Sequence, residues 1–186
     1  MNTPTKLLVL LSALTFAACD KKVETSVEVV TPPSNKSLDA LLLPDAPANA
    51  ITVTEARKNP VPGTEVVITG DLIGKPEVFV HNRSMLTIGD PAVLTSCNRM
   101  PGDSCASPWD VCCDDPDLIK KSIATVQVLD ADGKLLPSGL KGLGGMKELS
   151  SIVIKGTVAD GSGPDNLLIT ANGIHIASIE PNNTPR

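Results

Sequence analysis

The chain has 186 residues, enough for one ordinary domain plus targeting and linker segments. Its formal charge is −5, with two phenylalanines, one tryptophan and no tyrosine. Nucleic-acid binding needs clustered cations and stacking aromatics, so this balance argues against nucleic acid as a partner. Any core must be aliphatic.

Residues 1–18 carry Lys6 followed by the apolar run 7–16, the layout of an export leader. That run is shorter than the roughly 20 apolar residues a spanning helix needs. The segment closes Phe16-Ala17-Ala18-Cys19, which resembles a bacterial lipobox, with Phe16 where the motif usually has Leu, Val or Ile. The resemblance implies cleavage before Cys19, acylation of that residue, and a lipid-anchored protein of a bacterial cell envelope facing the periplasm or exterior. Loss of Lys6 with the leader takes the formal charge to −6. Several acyl chains on one residue hold firmly, because each buried methylene contributes about 0.8 kcal/mol. The competing reading is an ordinary secretory leader followed by an unrelated cysteine.

Residues 19–49 read as a flexible tether. They are polar and rich in proline and serine, and such composition buries too little apolar surface to offset ordering entropy. Within them, 37–43 (SLDALLL) offers either one helical turn or a docking segment. The domain is expected over 50–180, with 181–186 a polar tail. Thr52 and Glu55 have capping-box spacing and predict a short helix over 53–58, stopped by Pro60 and Pro62. The alternative there is a strand through 51–53.

A β-branched run follows over 65–74, broken by Gly70 and closed by Gly74-Lys75-Pro76. Runs 77–81 and 84–88 read as one kinked strand or a tight hairpin. Residues 123–129 form a clear strand with an Asp132-Gly133 turn signal. Residues 139–150 hold four glycines and predict only one or two helical turns, around 146–149. Strands over 151–158, 167–170 and 173–179 complete the pattern. Val153-Ile154-Lys155-Gly156 echoes Val67-Ile68-Thr69-Gly70.

The order strand, long strand, strand, short helix, strand, strand is similar to the oligonucleotide/oligosaccharide-binding (OB) fold, a five-stranded, partly open barrel. The fold class expected is therefore mainly β: an OB-fold-like barrel with one or two short helices and a Cys-rich loop between its second and third strands. The tract Ser107-Pro108-Trp109-Asp110-Val111-Cys112-Cys113 also resembles a Pro-Trp-Asp-x-Cys-Cys motif of lipoproteins whose function is uncharacterised.

That tract lies in the densest chemistry of the chain. Residues 96–118 form an acidic insertion holding Cys97, Cys105, Cys112 and Cys113. Four cysteines in an exported domain predict disulfides. A bond between adjacent Cys112 and Cys113 would close a strained ring, whereas pairing each with Cys97 or Cys105 is easier. The spacing Cys-x7-Cys-x6-Cys-Cys lacks zinc-knuckle pairs, so no metal and no cofactor is expected. The aspartates at 110, 114, 115 and 117 lack EF-hand periodicity and read as a solvated acidic face.

Trp109 is either packed against the barrel or an exposed anchor for a ligand. With Asp110 and His81 it makes up the candidate binding set. His81 and His175 sit in strand-like runs, and no serine lies in a nucleophile-elbow context. The function expected is a non-enzymatic binding module. Its partners would be the membrane, through the anchor, and a protein or saccharide ligand. The alternative is a thiol-redox or metal-handling protein using the four clustered cysteines.

Overall fold

A computed structural model describes residues 36–179. The leader, Cys19 and the tail 181–186 lie outside the described residues. Five strands close a barrel: β2 (Glu65–Asp71), β3 (Met85–Gly89), β4 (Ile123–Gln127), β5 (Ser151–Val158) and β6 (Leu168–Ser178). β2 pairs with β3, β3 with β4, β4 with β6, β6 with β5, and β5 returns to β2. Only the β4–β6 pairing is parallel among these five. This is the strand order of an OB-like barrel, with the Cys-rich segment between its second and third strands.

The two Val-Ile-x-Gly runs face each other across β2 and β5, with Ile68 opposite Ile154 and Gly70 opposite Ile152. Their glycines permit close approach of backbone. A Cβ on Gly156 would lie 2.4 Å from Thr170 O, and one on Gly70 would lie 2.8 Å from Gly89 O. Inside the barrel, Ile68, Leu86, Ile88, Val126, Ile152 and Ile154 have no exposed surface. Each such side chain contributes about 1.5–3 kcal/mol on burial. The core is aliphatic, as composition requires, and Phe79 and Trp109 pack only on its margin.

The weakest seam lies between β2 and β3, which share the single pair Asp71–Gly89. The chain leaves the barrel for the cysteine loop immediately after that pair. A small second cluster of Ile73, Leu94 and Val111 fills the space beyond it, with Trp109, Ile119 and Ile123 packed alongside.

Both alternatives foreseen around residue 52 occur in succession. Strand β1 (Ile51–Thr52) pairs in parallel with β2. Thr52 then caps helix α2 (Val53–Ala56), its side chain accepting from Glu55 N at 3.2 Å. Residues 77–88 form a hairpin, with Val80 N donating to Met85 O and Thr87 N to Val78 O.

Both alternatives offered for residues 37–43, a helical turn and a docking segment, are found. The end of the segment read as tether is packed: Leu38, in the short helix α1 (Lys36–Asp39), is 2% exposed. The main chain at Leu41 and Leu43 bonds to Ile174. The run of leucines at 41–43 supplies an apolar flank that the proline-rich surroundings conceal. Around 139–150 the only helical element is a 3-10 turn, Leu143–Gly145, which starts three residues before the expected 146–149 and does not overlap it. Finally, helix α3 (Pro116–Ser122) ends the cysteine loop, with Asp115 as N-cap and Pro116 in its first turn.

Candidate functional site

The cysteine loop spans residues 90–122 and is held by polar anchors together with a small apolar cluster. Its two ends meet, because Asp90 N donates to Ser122 O at 2.9 Å. The Asp90 carboxylate accepts from Thr54 N at 3.1 Å and Ala92 N at 3.0 Å, tying the loop base to α2. Burial pushes this carboxyl up, but hydrogen bonding, those two amides included, outweighs it and leaves it below its ordinary value.

Further along, two runs of the loop are clamped side by side. Thr95 N donates to Asp114 Oδ2 at 2.7 Å, Cys97 N to Asp110 O at 2.8 Å, and Asn98 N to Pro108 O at 2.9 Å. Trp109 fastens the assembly to the barrel: its Nε1 donates to Pro76 O at 2.8 Å, while its own carbonyl accepts from Gly74 N at 3.2 Å. Its ring is half-buried and touches both hydrophobic clusters. The packing reading of Trp109 therefore holds.

The clamp brings sulfurs together. Cys97 is buried, Cys105 half-buried and Cys112 exposed, and their Sγ atoms all lie within 4.8 Å of one another. Cys97 Sγ and Cys112 Sγ are 3.8 Å apart. Cys113 is exposed and is not part of this group. All four are free thiols, so no disulfide is formed among the described residues. The grouping is three and one, where the sequence suggested two pairs.

Burial pushes the Cys97 thiol well up, and the neighbouring Cys112 and Cys105 add to it. At Cys112 the hydrogen bond with Cys97 pulls the thiol down, yet desolvation, Cys113 and Asp110 leave it raised. Both are thiols, not thiolates, at neutral pH unless something replaces their protons. Three sulfur donors in one place are a set that could bind a metal ion. Sequence spacing argued otherwise because it cannot show the backbone clamp that folds residues 97 and 112 together.

The remaining candidates disperse. Asp110 Oδ1 accepts from its neighbour Val111 N at 2.8 Å, a local turn contact. Asp114 and Asp115 serve as backbone anchors, the latter accepting from Asp117 N and Leu118 N. His175 Nδ1 lies 3.1 Å from Leu43 O, which makes it part of the N-terminal docking. His81 is exposed on the hairpin turn and lines a cleft of about 350 Å³ with Phe79, Val80, Lys141 and Glu148. Lys141 Nζ and Glu148 Oε1 form an ion pair at 2.6 Å across one wall. Phe79, Lys141 and Glu148 escape a linear reading because residues 76–82 and 139–148 meet only through the barrel.

No protein-family model, curated protein or solved structure matches the chain.

Proposed function

We propose that the protein is a non-enzymatic binding module of a bacterial cell envelope, held to a membrane through lipidated Cys19. The barrel is its scaffold, and the cleft between the 77–88 hairpin and the 139–148 segment is its contact surface. The observation that carries this is the lining of that cleft. An aromatic ring, an exposed imidazole and a paired Lys141–Glu148 offer both apolar and directional polar contacts. Such a surface suits a protein or saccharide ligand. Nucleic acid suits it poorly, since the acidic chain supplies neither a cationic groove nor stacking platforms.

Two measurements test the reading. Replacing Cys19 with serine should move the protein from the membrane fraction to the soluble fraction; continued membrane retention removes the anchor from the account. A photo-cross-linker at Val80 should capture a discrete envelope component, and the same group at exposed Asp132 should not. Equal capture at both positions, or none at Val80, rejects the cleft.

A further inference from the structure

We propose that Cys97, Cys105 and Cys112 form a three-thiolate site for a soft, closed-shell metal ion, of which Cu(I) is the type. The inference is independent of the cleft. The first support is distance. Metal–sulfur bonds of about 2.3 Å place neighbouring ligand sulfurs roughly 3.8–4.0 Å apart. The Cys97–Cys112 separation is 3.8 Å, and Cys105 completes a triangle within 4.8 Å. A disulfide instead needs about 2.05 Å. It would use two of the three sulfurs and leave the third beside it, placed to attack.

The second support is preorganisation. Backbone bonds from Cys97 N to Asp110 O and from Asn98 N to Pro108 O fix the two runs of the loop that carry two of the sulfurs. Trp109 pins the same run to the barrel. The loop thus has a shape that no sulfur–sulfur bond is required to make. The third support is graded access. Cys97 is sealed below, Cys105 is intermediate and Cys112 opens to solvent, so an ion can enter from one side and rest on a buried donor.

Ligand type then selects the ion. Three soft thiolates without imidazole or carboxylate in the group favour a thiophilic ion that accepts three-coordination. Structural zinc takes four ligands. Binding exchanges three thiol protons for one monovalent cation and leaves a net charge of −2 on the metal and its three sulfurs. No electron is transferred. Affinity must therefore fall as pH falls.

The test uses the full-length chain, purified reduced and without oxygen, and titrated with Cu(I) against a competing chelator. The expected result is one ion per chain, a thiolate-to-metal charge-transfer band, and protection of Cys97, Cys105 and Cys112 from alkylation while Cys113 still reacts. Cys105→Ser and Cys112→Ser should each weaken binding by more than the roughly 10–100-fold typical of losing a supporting residue. Cys113→Ser should leave it within about twofold. Circular dichroism checks that each variant is folded, and all three substituted residues lie outside the main core. Failure to hold Cu(I) at one per chain overturns the proposal. So does protection of all four thiols, or a disulfide joining any two of the three in protein taken directly from the cell envelope.

Discussion

The barrel and the cysteine loop solve the same problem, ordering a chain, by opposite means. The barrel has a continuous aliphatic interior and ladders on nearly every strand. The loop contributes two of the three buried residues of its small cluster, Leu94 and Val111, and adds carboxylates that capture amides: Asp90 at its base, Asp114 across its middle and Asp115 at its helix. A hydrogen bond nets about 0.5–1.5 kcal/mol, whereas a fully buried aliphatic side chain contributes up to about 3. The difference predicts that barrel and loop can be damaged separately.

Ile154→Ala should show the largest effect. It opens a void among fully buried neighbours and should cost about 2–5 kcal/mol, read as a lower denaturant midpoint by circular dichroism and by tryptophan fluorescence together. A loss below about 1 kcal/mol would mean the barrel interior is not the main source of stability. Asp114→Ala should come next. It orphans Thr95 N and should cost the loop about 1–2 kcal/mol. Because Trp109 is the only tryptophan, its fluorescence reports on the loop. The variant should shift the fluorescence midpoint and speed alkylation of Cys97, with the circular dichroism midpoint little changed. Coincident shifts in both signals would show that loop and barrel unfold as one.

The smallest effect is electrostatic. Asp71 lies where β2 meets the loop base. Burial raises its carboxyl above the ordinary value, only partly offset by the Ser151 hydroxyl at 2.6 Å. Its charged form therefore costs stability at neutral pH, and protonation relieves that cost as pH falls through the raised folded value. Asp90 behaves oppositely. Its stabilising contribution is complete above the ordinary carboxylate value of about 3.9 and is lost as pH falls through its depressed folded value. Asp71→Asn should be more stable than the parent at pH 7, and the gap should narrow toward pH 4 in paired denaturation curves. A gap that widens on acidification would reverse the assignment.

Much of the barrel was legible because period and residue type act locally. The Val-Ile-x-Gly echo marked two strands that do pair, and Thr52 with Glu55 marked a real cap. Helix α3 was also written locally, in Asp115-Pro116 and the closing lysines 120 and 121, but it has only seven residues and is set among cysteines and aspartates without an apolar period. The thiol triangle was not legible. It depends on carbonyls of Pro108 and Asp110 accepting from Asn98 and Cys97, contacts that leave no trace in side-chain identity. Likewise Leu38 finds its place only once β6 exists to receive the adjoining chain.

The paired ends of the loop have one more consequence. Gly89 and Ile123 sit opposite each other in the β3–β4 ladder, and Asp90 bonds to Ser122 just outside it. The insertion thus enters and leaves through a single doorway and asks nothing of strand register. Such a cassette can be lengthened, exchanged or grafted onto another hairpin as one piece, carrying its sulfurs with it.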